Sequence, residues 1–152
     1  MKMRYSLGGY LLLVFLLPFS RQLAVHPGAG ILPHLFYAFA HTSWLHFLLN
    51  GLAWAFLWKI ITPARIFVAW SLSVIIGYLL PTSLPVLGWS VIIYYYWGIC
   101  LTSMKNGVRL RLLLLVIVGF FIPGMAALHH AVMLSLGFIL CKVEILWQKT
   151  DR

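Results

Sequence analysis

The sequence predicts an all-α membrane protein, a single integral-membrane domain over residues 1–152 that crosses the bilayer six times. Three observations lead there. The chain is 63% hydrophobic and only 9% charged, with a mean hydropathy of +1.00, whereas a soluble domain carries roughly 25% charged residues to cover its surface. Its apolar runs approach the ~20 residues that cross a bilayer. Its basic residues gather in alternate connections, as those on the cytoplasmic side of a membrane do.

The first run, 5–24, follows the basic start MKMR and has the look of a signal peptide. No small-x-small cleavage site follows its apolar centre, so it is read as a retained first span. The stretch HPGAGILPH ends it, because Gly and Pro break regular structure. The second span covers 38–58 and stops at KIITPAR, and the third covers 64–80 and stops at PTSLP. The fourth, 88–104, gives way to MKNGVRLR. The fifth, 109–122, ends at a Pro-Gly pair, and the sixth covers 125–147.

The charges orient this bundle. Lys2 and Arg4 precede span one, Lys59 and Arg65 flank the turn after span two, and Lys105, Arg109 and Arg111 flank the turn after span four. Lys142, Lys149 and Arg152 close the chain, and Arg21 alone falls on the other side. That bias puts both termini in the cytoplasm, and the expected location is the inner (plasma) membrane of the cell. The net charge of +9 is therefore an orientation signal with lipid headgroups as its partners, and no nucleic acid is needed to explain it. Cys100 and Cys141 stand in apolar runs without a CxxC pair, so neither a disulfide framework nor a zinc site follows.

Polar side chains at membrane depth cost several kcal/mol unless paired, so each asks for a reason. The stretch AHTSWLHFLLNG puts His41, His46 and Asn50 in the outer half of span two; Ser90 opens span four, and His129 and His130 lie about one turn into span six. Three distant helices thus bring a serine, histidines and an asparagine to one depth on one side. Serine is a nucleophile only with a base to take its proton, which histidine supplies near neutral pH. An imidazole N–H and an asparagine amide can stabilise the oxyanion that attack on a carbonyl creates. His46 and Asn50, spaced i and i+4, share a helix face, and Gly88 permits a tight backbone approach just before Ser90. Other readings stay open: Ser90 as a helix N-cap, the histidines and Asn50 as interhelical hydrogen-bonding groups, or His41, His46, His129 and His130 as ligands of a haem or metal.

These residues resemble the rhomboid intramembrane serine proteases, in their compact six-helix bacterial form. The second helix of that family carries His-x4-His-x3-Asn, here His41, His46 and Asn50; its fourth begins with Gly-x-Ser, here Gly88 to Ser90, followed by Tyr94 and Gly98; its sixth carries the base histidine and a glycine seven residues on, here His130 and Gly137. The resemblance covers spans two to six and implies a rhomboid-like bundle that cleaves transmembrane protein substrates with a Ser90–His130 dyad. It implies no cofactor, no metal and no third acidic member, and the only acids, Glu144 and Asp151, lie at the cytoplasmic end. His46, Asn50 and the Ser90 N–H would form the oxyanion hole. His41 would shape the site, and Tyr94 would pack beneath the His130 ring.

The chain departs from the family pattern at three places. Val91 follows the serine where glycine is common, Met133 stands three residues after the base where glycine is common, and Pro33 occupies the place of a Trp-Arg pair in the first outer loop. Small residues let helices approach closely, so Val91 and Met133 predict a wider gap between Ser90 and His130. The alternative function is thus an inactive rhomboid-like protein that binds transmembrane clients.

Overall fold

In the computed structural model, which describes residues 21–80, 85–122 and 126–150, the protein is all-helical. Six α-helices follow one another among the described residues: α1 (Ile31–Phe36), α2 (Trp44–Leu57), α3 (Pro63–Leu79), α4 (Ser90–Leu101), α5 (Asn106–Gly119) and α6 (Ala127–Thr150). The first expected span, 5–24, lies outside the described residues except for its last four, where Arg21–Leu23 make a single 3-10 turn.

Local chemistry explains where the helices start and stop. Ser43 caps α2, its hydroxyl accepting the His46 N–H at 3.2 Å, and Thr62 caps α3 in the same way through Arg65 N–H, with Pro63 in the first turn. Leu80 is extended (φ −93°, ψ 130°) because Pro81 follows it. The cap at Ser43 corrects the second span. The helix begins at Trp44, not 38, because Tyr37–Phe39 form a separate 3-10 turn and Ala40 is extended. His41 therefore sits in the loop ahead of α2 and not on its face. The segment before Ser43 also holds the unexpected α1, docked on α3 by Trp70 Nε1–H to the Leu35 carbonyl (2.9 Å) and a His34–Tyr78 stack at 3.8 Å, with Tyr37 O–H to the Ser73 carbonyl (2.9 Å) just after it.

α4 and α6 run side by side and form by far the most extensive helix pair. Two glycines set their spacing. A Cβ on Gly98 would overlap the Leu134 carbonyl, and one on Gly137 would overlap the Tyr95 carbonyl, so backbone lies directly on backbone. Val91 and Met133, both fully buried, pack around this seam without prising it open. At the opposite end Arg65 of α3 meets Glu144 of α6 at 3.2 Å.

The distribution of polarity is inverted relative to a water-soluble bundle. His34, His41, Asn50, Ser73, His129 and His130 are buried, while Leu48, Leu52 and Phe56 of α2 and Leu114, Ile117 and Val118 of α5 are exposed. By length and composition α6 is the one described helix able to cross a membrane; α2, α3 and α4 are apolar but shorter, at 14, 17 and 12 residues.

Candidate active site

Three helices begin at one end of the bundle and turn their first residues toward a common cavity. His46 is the third residue of α2, Ser90 the first of α4 and His130 the fourth of α6. Each helix start carries unpaired N–H groups and a partial positive charge, so the cavity gathers three such ends and favours a negative charge within it. Its volume is about 400 Å³, and its walls include Thr42, His46, Asn50, Ser90, Tyr94 and His130.

Ser90 Oγ and His130 Nε2 lie 2.9 Å apart, within hydrogen-bonding distance. The gap predicted from Val91 and Met133 is absent. Gly98 and Gly137 hold the two helices together below the dyad, and neither bulky side chain stands between serine and histidine. The His130 ring lies flat on Tyr94, with centroids 4.2 Å apart and planes 9° from parallel. Tyr94 is one turn after Ser90 on α4, so the same helix supplies the serine and the plate that orients the histidine beside it. Trp97 meets Tyr94 at 4.9 Å and 63° and lines the same cavity. His130 Nδ1 is buried and has no hydrogen-bond partner among the described residues, so stacking and burial, not a carboxylate, orient the ring.

Opposite the dyad, His46 is held through Nδ1 by Thr42 Oγ1 at 3.2 Å. The Cε1–Nε2 edge of its ring faces Gly88, where a methyl group would overlap it. Gly88 adopts φ +122°, a conformation L side chains rarely take, and its N–H donates to the Tyr37 carbonyl at 2.9 Å. Glycine there serves both the turn into α4 and the closeness of His46. Asn50 follows His46 by one turn, is 5% exposed, lines the cavity, and its Nδ2 has no partner among the described residues. A buried amide donor without a partner is uncommon, and this one belongs to a residue of the cavity wall.

The remaining sequence-nominated residues fall around this set. His41 does not line the cavity. It packs edge-on against His46 (5.2 Å, 67°) and Phe47 (5.5 Å) and so braces the start of α2. His129 is buried on α6 away from the cavity wall. Among the described residues no three of His, Cys, Asp or Glu gather as metal ligands, so the four histidines do not form one coordination site. Thr42 was not singled out by sequence, although its place four residues before His46 is the signal that could have found it. Comparisons with protein-family models, characterised proteins and solved structures give no match.

Proposed function

We propose that the chain is an intramembrane serine endopeptidase of the rhomboid type, in the inner membrane, and that it cleaves transmembrane protein substrates near the outer face. The observation that carries this reading is the 2.9 Å contact of Ser90 Oγ with His130 Nε2, in a cavity that also presents Asn50 and His46. With the His130 proton on Nδ1, Nε2 accepts the Ser90 hydroxyl proton as Oγ attacks the scissile carbonyl. The oxyanion receives hydrogen bonds from Asn50 Nδ2–H, from His46 and from the Ser90 N–H at the start of α4. Imidazolium His130 then protonates the leaving amine. Water, its proton taken by the same Nε2, then attacks the acyl carbonyl, and the imidazolium returns that proton to Ser90 Oγ as the C–Oγ bond breaks and the carboxylic acid product leaves.

The membrane setting is supported by the apolar exterior, the buried polar groups and the one-sided basic residues. At a rise of about 1.5 Å per residue the 12 residues of α4 span about 18 Å, against a hydrocarbon thickness of ~30 Å. Ser90 then lies below the outer surface, with the cavity as its route to water. α5 is largely exposed, with Leu112, Val116 and Gly119 as its buried residues. A substrate helix enters beside it and unwinds at Ser90. The 2.9 Å separation of Ser90 and His130 supports this reading over the alternative of an inactive client-binding relative, which drew on Val91 and Met133.

The test is labelling of the detergent-purified protein by a fluorophosphonate probe. Wild type is expected to label, and Ser90→Ala and His130→Ala are not; equal labelling of all three would overturn the proposal.

A further inference from the structure

A second cavity, of about 540 Å³, lies at the end of the bundle opposite the dyad, between α3, α4 and α6. Its walls are of two kinds. Val68, Ile99 and Leu140 give an apolar floor and side, and Arg65 and Glu144, in contact at 3.2 Å, give one cation and one anion at its edge. Glu144 is the one acidic side chain among the described residues, so placing it here, beside a guanidinium and over an apolar hollow, sets this spot apart from the uniformly basic remainder of that end. The neighbouring Lys142 does not join it, its Nζ standing over the Phe138 ring at 5.7 Å.

We propose that this cavity binds one aminophospholipid, with the phosphate of a phosphoethanolamine headgroup on Arg65, the ammonium on Glu144 and an acyl chain along Val68, Ile99 and Leu140. The proposal rests on the membrane reading above and not on the proteolytic one. The charge pattern selects the headgroup. A purely anionic lipid satisfies Arg65 but brings its charge against Glu144. A choline headgroup has no N–H to donate to the carboxylate, whereas an ethanolamine ammonium donates up to three and makes charge-assisted hydrogen bonds. The Arg65–Glu144 pair gives up little to admit the ligand, because its side chains are 32% and 51% exposed and a solvent-exposed ion pair is weak.

The experiment is native mass spectrometry of the full chain, purified in detergent and offered equimolar phosphatidylethanolamine, phosphatidylcholine and phosphatidylglycerol. Wild type is expected to retain a single phosphatidylethanolamine in preference to either rival by up to about fivefold, the discrimination a charge contact provides at so exposed a carboxylate. Glu144→Gln is expected to lose that preference and hold phosphatidylglycerol at least as well, while Arg65→Gln loses both lipids. A general loss of folding cannot produce the switch in Glu144→Gln. Equal retention of the three lipids by wild type, or an unchanged preference in Glu144→Gln, overturns the proposal. Resistance to alkaline carbonate extraction checks the membrane reading separately. A chain that stays in the membrane but does not discriminate sinks this proposal alone, and a chain that washes out sinks the membrane reading with it.

Discussion

Gly137→Ala is the sharpest test of how the backbone holds the dyad. A methyl group there overlaps the Tyr95 carbonyl, which belongs to the backbone of α4 and cannot rotate away. The two helices have to part by about 1 Å to restore van der Waals contact, and overpacking of this kind costs about 1–3 kcal/mol. The same displacement carries the 2.9 Å Ser90–His130 contact to about 4 Å, beyond hydrogen-bond reach, and a misplacement of about 1 Å lowers a rate by about 10²-fold. The assay pairs thermal unfolding in detergent with the rate of fluorophosphonate labelling. Gly107→Ala is the control, because nothing lies within 4 Å of its added Cβ and a helical Gly→Ala change at such a site stabilises by about 0.4–1 kcal/mol. The expected result is a lowered Tm and about a hundredfold slower labelling for Gly137→Ala, with neither loss in Gly107→Ala. Wild-type labelling by Gly137→Ala would refute the claim that the glycine seam sets the dyad distance.

Other substitutions separate the remaining roles. Asn50→Ala is expected to lower the rate of substrate cleavage by about 10²–10³-fold, the cost of one lost oxyanion donor, while circular dichroism stays that of wild type. Tyr94→Phe keeps the stack under His130 and is expected to cleave like wild type. Tyr94→Ala loses an aromatic contact of about 0.5–1.5 kcal/mol, and a several-fold slower cleavage checks it. Gly88→Ala forces a side chain into φ +122° and against His46; a loss of about 1–3 kcal/mol in a denaturation midpoint, together with slower labelling, is the expected outcome.

The helical character of the chain was legible because apolar runs and their Pro/Gly interruptions report helix and break directly, and α3 and α4 start within two residues of expectation. The three residue groups of the site were legible as types, since serine, histidine and asparagine stand out in a chain with so few polar side chains. What their spacing could not convey was the local break at Ser43. Counting from His41 to Asn50 as one helix ignored that Thr-Ser before an apolar run is an N-cap signal, and the cap moves His41 off the helix. The effect of Val91 and Met133 was misread for a different reason. Residue size near a nucleophile bears on helix spacing only where that residue lies in the closest contact, and here the contact runs through Gly98 and Gly137. Thr42 went unnoticed because its importance comes from a bond to His46 Nδ1, which depends on the loop geometry ahead of α2. Helix α1 hides in a Pro- and Gly-containing stretch, and it forms where contacts with Trp70, Ser73 and Tyr78 of α3 outweigh its weak intrinsic propensity.

The most direct test of the central claim is cleavage of a single-span reporter protein co-reconstituted with this protein in proteoliposomes, its products weighed by mass spectrometry. Wild type is predicted to cut the reporter within or just above its membrane segment, on the side where Ser90 lies, and both Ser90→Ala and His130→Ala are predicted to leave it intact. Cleavage that persists in Ser90→Ala, or an uncut reporter with folded wild-type protein across a series of reporter sequences, would contradict it.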